Sequence, residues 1–170
     1  MSTFSKFEEI KNFLLGATSG WAWNEPASSV SDLPGYREIR YAEGDFLVVE
    51  RFAAVSDRKW VNLHFSVTVF IGDAPAWSLE LGGRYEEHAI EFLKAAIRHA
   101  YANHVFAGGR GGNSEMGGAF VDSKKYPGLA YVNYVRDREG PLSTVGHEAI
   151  HDTVLGRIGC GNYITTQLFA

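Results

Sequence analysis

Residues 147–151 read His147-Glu148-Ala149-Ile150-His151, two imidazoles four positions apart with a carboxylate beside the first. On a helix this spacing stacks both histidines on one face, where they would close on a single Zn²⁺ while Glu148 takes a proton from the metal-bound water. The chemistry would be that of a zinc-dependent hydrolase, with His147 and His151 as metal ligands and Glu148 as catalytic base. On a strand the two histidines again share a face, but they stand about 13 Å apart at ~3.3 Å per residue, too far to hold one ion. The secondary structure of residues 144–152 therefore decides whether the motif has a reaction attached.

The local composition favours the strand. Thr144, Val145, Ile150, Thr153 and Val154 are β-branched, and Gly146 sits inside the motif. Against this, Leu142, Val145, Ala149, Ile150, Val154 and Leu155 share one helical face, so periodicity alone leaves the helix open. The third metal ligand decides the balance. Beyond His151 the chain has no further His or Glu, and Asp152 and Cys160 fit neither common zincin pattern. The strand is the better reading, so no catalytic residue is assigned and no zinc or other cofactor is expected.

The elements that would position these residues are legible in the surrounding chain. Ser5-Lys6-Phe7-Glu8 fits a capping box, and Phe7, Ile10, Leu14 and Ala17 form the stripe of a first helix ending near residues 16–20. Residues 25–35 are rich in Pro and Ser and read as a surface loop. Period-two patterns then predict strands over 36–41, 45–53, 61–71 and 76–81, with Gly44-Asp45 and Gly72-Asp73 as hairpin turns. A second helix is expected over residues 84–104, with Ala89, Ile90, Leu93, Ala96, Ile97, Ala100 and Tyr101 on one face. The glycine-rich stretch 108–118 lacks the Lys-Ser/Thr of a phosphate-binding loop and reads as a connection. Strands are expected over 129–135 and 142–151, followed by two short closing strands over 154–158 and 163–169.

The halves are alike: Phe13-Leu14-x-x-Ala17 recurs as Phe92-Leu93-x-x-Ala96, each in a helix that precedes a run of strands. In that alignment the hairpin 64–83 matches the segment 143–161, which again supports a strand at the histidine motif. The expected fold is α+β, a curved antiparallel sheet of about six to eight strands with two main helices packed on one face and an internal pseudo-repeat.

Composition bounds the function classes. A chain of 170 residues with 45% hydrophobic and 21% charged residues reads as one soluble domain spanning residues 1–170. The net charge of −4 disfavours binding to nucleic acid or to anionic membranes. Cys160 is the sole cysteine, which excludes an intrachain disulfide. Lys6, Glu8, Glu9 and Lys11 stand where a signal peptide would need apolar residues. The longest charge-free apolar run, 60–72, is too short to span a bilayer, and a cytoplasmic location is the expectation.

Phe13-Leu14-x-x-Ala17, Tyr41-x-Glu43-Gly44-Asp45, Pro75-x-Trp77-x-Leu79-x-Leu81-Gly82, Phe92-Leu93-x-x-Ala96, Arg110-Gly111 and Gly146-x-Glu148-x-Ile150 occur here in order. In these landmarks the chain resembles an uncharacterised bacterial domain family over most of its length. The resemblance implies a small bacterial protein of the kind found free-standing in the cytoplasm or behind a helix-turn-helix segment, with no established activity. Leu79 and Leu81 stand where that family usually has Met and Tyr, and Gly112 replaces a Pro. Its pattern does not require His at 147 or 151.

Three functions fit these readings. The leading one is a non-catalytic ligand-binding or sensory module, with a small-molecule pocket between sheet and helices to which Tyr41, Asp45, Trp77, Arg110 and Glu148 contribute. The zinc-dependent hydrolase of residues 147–151 is the second. The third is a protein-interaction or dimerisation module, a homodimer being the simplest case, that uses an exposed sheet face or edge. No Gly-x-Ser-x-Gly elbow or cysteine-protease signature competes with them.

Overall fold

Apolar residues at helical spacing build two helices, and long runs of alternating residues build the sheet they cover. The computed structural model describes residues 3–20, 29–30, 34–57, 59–106, 124–138 and 143–168. Helix α1 spans Thr3–Gly20, starting ahead of the expected cap, and buries Ile10, Leu14 and Leu15. Helix α2 spans Ala89–Ala102 and buries Phe92, Leu93, Ala96, Ile97, Ala100 and Tyr101, the 3.6-residue stripe of a helix lying on a sheet. At its end Asn103 Nδ2 donates to the His99 carbonyl at 2.7 Å, and His104 closes the turn with φ 57°.

The strands are β1 (Ser29–Val30), β2 (Arg37–Glu43), β3 (Phe46–Asp57), β4 (Trp60–Ile71), β5 (Ala74–Glu86), β6 (Leu129–Arg138), β7 (Thr144–Asp152) and β8 (Gly156–Gln167). All pair antiparallel in one sheet of order β1-β2-β3-β4-β5-β8-β7-β6. The expected α+β architecture, a curved antiparallel sheet with two helices on one face, is the one found. Gly44 and Gly72 open the β2–β3 and β4–β5 turns, each with φ 59°, the left-handed conformation a type II′ hairpin needs at its first turn position. At the β7–β8 turn, Asp152 Oδ1 accepts the N–H groups of Val154 at 2.7 Å and Leu155 at 2.8 Å.

The pseudo-repeat has a structural counterpart. Each helix is followed by a meander, and the last strands of the two meanders, β5 and β8, pair with each other at the middle of the sheet. The helix-covered face holds two apolar clusters. One joins Ile10 and Leu14 to Val48, Phe65, Val69, Trp77, Leu79 and Leu81; the other joins Leu15 and the α2 stripe to Tyr85, Tyr131, Ile150 and Ile158.

Three expected boundaries are corrected. Residues 84–86 finish β5 and do not begin the second helix. The two closing strands over 154–158 and 163–169 are one strand, β8, which runs straight through Gly159 and Gly161, while 153–155 form a turn. A two-residue strand, β1, stands inside the stretch read as the loop 25–35. The glycine-rich stretch 108–118 lies outside the described residues.

Candidate functional site

The histidine motif lies on β7. Alternation along that strand places His147 on the helix-free face and Glu148 on the helix-covered one, with His151 exposed four residues on. A carboxylate on the opposite face from the imidazoles cannot serve as base for a water held by them. The zinc reading was argued from a helix, and this segment is a strand. Among the described residues, no group of three or more His, Cys, Asp or Glu is placed to hold a metal ion.

Glu148 has a different environment, built by residues far apart in sequence. It is fully buried, and its carboxylate accepts the hydroxyls of Tyr85 on β5 at 2.6 Å and Tyr131 on β6 at 2.9 Å. Glycines make this arrangement possible. A Cβ at Gly83 or Gly159 would lie 2.5 Å from the Tyr85 ring, and one at Gly161 would strike its hydroxyl, so Tyr85 lies flat across the β5–β8 pair. Tyr163 repeats the device over Gly146, its ring against the missing side chain and its hydroxyl donating to Asn133 Oδ1 at 2.8 Å. Thr144 and Thr165 add a hydroxyl pair at 2.8 Å across β7 and β8. Buried polar groups with such partners specify one register, because a slip would break these hydrogen bonds.

The residues expected to share a ligand pocket are not gathered into one place. Tyr41 borders the first apolar cluster, stacked on Phe13 at 5.8 Å, and donates to Glu43 Oε2 at 2.8 Å. Trp77 is buried in that cluster with its ring 6.1 Å from Phe106. Asp45 is exposed in the β2–β3 turn, where its carbonyl accepts the Gly72 N–H at 2.7 Å. Arg110 lies outside the described residues. Glu148 is in register with Gly161 and through it with Gly83, which is six residues along β5 from Trp77, roughly 20 Å at ~3.3 Å per residue.

The helix-free face is arranged differently. Two rows cross its centre: Ser66, Glu80, Ile164 and Val145 in one, and His64, Gly82, Asn162 and His147 in the next. Gly82 leaves a gap in the second row, since a Cβ there would meet nothing within 4 Å. Around that gap lies an open notch of about 320 Å³ lined by His64, Glu80, Gly82, Val145, Asn162 and Ile164. On one side the Tyr36 hydroxyl is 3.2 Å from His64 Nδ1, whose Nε2 is 3.8 Å from Glu80 Oε2. On the other, His147 Nδ1 is 3.0 Å from Asn162 Oδ1.

Toward the β2 edge of this face, Glu38 is buried between two guanidinium groups, with Arg40 Nε and Arg51 Nε each at 2.6 Å. Burial pushes the Glu38 carboxyl up, but the hydrogen bonds and charges of Arg40 and Arg51 outweigh it, holding the carboxyl below its ordinary 4.5. A depressed carboxyl stabilises the fold above its unfolded pKa and loses that contribution as pH falls through the folded value. The stability advantage of the wild type over Glu38→Gln is therefore expected in full near neutral pH and to shrink below about pH 4.5. Urea unfolding of both proteins at several pH values checks this, and an advantage that grows on acidification refutes it.

Compared with protein-family models, with curated proteins and with solved structures, the chain finds no match in any of the three. The site must be read from its own geometry. His64, Glu80 and Asn162 belong to no motif, and Gly82 enters only as the last residue of one family landmark, because the four sit on three strands whose order is not written in any local pattern. The one available signal was phase, since each occupies the solvent-facing half of a period-two alternation. Among the described residues no helix is long and apolar enough to cross a membrane.

Proposed function

We propose that the protein is a non-catalytic ligand-binding module whose working surface is the helix-free face of the sheet. The observation that carries this reading is the notch over Gly82, which sets polar groups beside an apolar wall. Its volume of about 320 Å³ is at the lower end of small-molecule sites. The helix-covered face is filled instead by the two apolar clusters and by the tyrosine contacts to Glu148. On this reading Glu148, Trp77 and Tyr41 are framework for the sheet and the ligand contacts lie on its other side.

Gly82→Val supplies the test, because the new side chain enters open space and a β-branched residue suits a strand. In a fragment screen followed by ¹⁵N–¹H spectra, hits are expected to move the amides of Gly82, Asn162 and Ile164 in the wild type and to lose binding in the variant. Hits that move other surfaces, or that bind the variant equally well, overturn the reading. The same face exposes Tyr134, Val145 and Ile164 at 44%, 42% and 49%, on three neighbouring strands. This apolar strip favours a second reading, contact with another protein chain, for which a dilution series in the same spectra gives the evidence.

A further inference from the structure

The charge around the notch narrows the ligand class, given that the notch is the binding surface. Glu80 is about half exposed at its rim, and two arginines on this face are engaged elsewhere. Arg51, two strands away in the same row, holds Glu38 at 2.6 Å. Arg84, further along β5, lies over the Trp60 ring at 4.7 Å. The His64 imidazole stands 3.8 Å from the Glu80 carboxylate. Beside Glu80 in register stands Ile164, and beside that Val145, both with apolar surface open to solvent. A half-exposed carboxylate to which no lysine or arginine among the described residues pairs, next to an aliphatic wall and above a gap left by glycine, fits a ligand with a positive end and a short apolar body.

We propose that the notch takes a small organic ammonium, a primary amine on an aliphatic stem, with Glu80 as its counter-ion and Ile164 and Val145 as the wall for the stem. The net charge of −4 adds a general attraction for cations. An exposed ion pair of this kind contributes little, so the charge should tighten binding by about three- to fivefold at low salt. The affinity of a minimal probe is on the order of millimolar.

The experiment titrates the ¹⁵N-labelled chain with n-butylamine and with n-butanol, which has the same stem without the charge, at about pH 8, where an amine is protonated and an ordinary imidazole is neutral. The wild type, Glu80→Gln and Gly82→Val are compared, with the remainder of each spectrum reporting an intact fold. The expected result is that both probes move the Gly82, Asn162 and Ile164 amides, with the amine binding about three- to fivefold tighter. That advantage should vanish in Glu80→Gln and on raising the salt. Equal binding of amine and alcohol in the wild type, or an advantage that survives Glu80→Gln, overturns the ammonium assignment while leaving the notch as a binding surface. If neither probe moves those amides, or if Gly82→Val binds both as well as the wild type, the binding-surface reading falls with it.

Discussion

Replacing Glu148 with alanine is expected to destabilise the protein by about 3–5 kcal/mol, the combined cost of two buried hydroxyls that lose an acceptor and of the cavity left behind. The substitution leaves the hydroxyls of Tyr85 and Tyr131, both fully buried, without the acceptor that now lies 2.6 and 2.9 Å away. Each buried hydroxyl that loses this acceptor costs about 1–3 kcal/mol, and the space vacated by the carboxylate adds a cavity term. Glu148→Gln keeps one acceptor oxygen and should cost less than half as much. The measurement is urea unfolding followed by circular dichroism, in buffer with and without a chelator. A Glu148→Ala protein within about 1 kcal/mol of the wild type would show that the tyrosine contacts are incidental. The chelator separates this from the catalytic alternative. A base in a zinc site acts on bound water and has no reason to hold the fold together in metal-free buffer, whereas an acceptor for two buried hydroxyls does so in either condition.

The parts of this fold that were legible in the sequence are those set by local pattern. The α2 stripe from Phe92 to Tyr101 follows the helical period, and Gly44-Asp45 and Gly72-Asp73 announce their hairpins because a positive φ is needed at one known position. β-branched residues and an internal glycine marked β7 as a strand in spite of the His-Glu-x-x-His spelling. What was not legible depends on partners distant in the chain. Gly83, Gly159 and Gly161 look like breaks, and so β5 and β8 were expected to be shorter than they are. Their reason is the Tyr85 ring, which needs all three to be bare, and nothing near residue 159 points to residue 85. Tyr85 falls in the stretch whose sequence reads as the start of the second helix, and Tyr131 reads as an ordinary apolar strand residue, since alternation cannot tell a tyrosine that packs from one that also donates to a buried carboxylate. The notch was hidden for a related reason. Its two rows exist because β8 pairs with β5, a pairing between the two halves of the chain that no hairpin signal predicts.

Two glycine substitutions in the same sheet should therefore act in opposite directions. Gly146→Ala is expected to cost about 3 kcal/mol, the upper part of the usual range for overpacking. Its Cβ would enter the Tyr163 ring, which lies on the bare backbone of β7 and reaches past it to Asn133 at 2.8 Å. Neither partner has an easy way to yield: a shift of β7 breaks its register with β6 and β8, and a swing of Tyr163 leaves the buried Asn133 side chain short of a donor. Gly82→Ala places its Cβ in open space on the opposite face, and relief of the entropic cost of glycine in a strand should make it neutral or stabilising by up to about 1 kcal/mol. Thermal unfolding of the two variants beside the wild type decides the matter, and equal effects of like sign would refute the glycine-floor account. A double-mutant cycle sharpens it. With Tyr163→Leu as the second change, the collision at Gly146 is removed along with the ring, so the combined loss should be smaller than the sum of the two separate losses by about 1–3 kcal/mol. Simple additivity would place the cost of Gly146→Ala in the strand backbone itself and not in the tyrosine that lies on it.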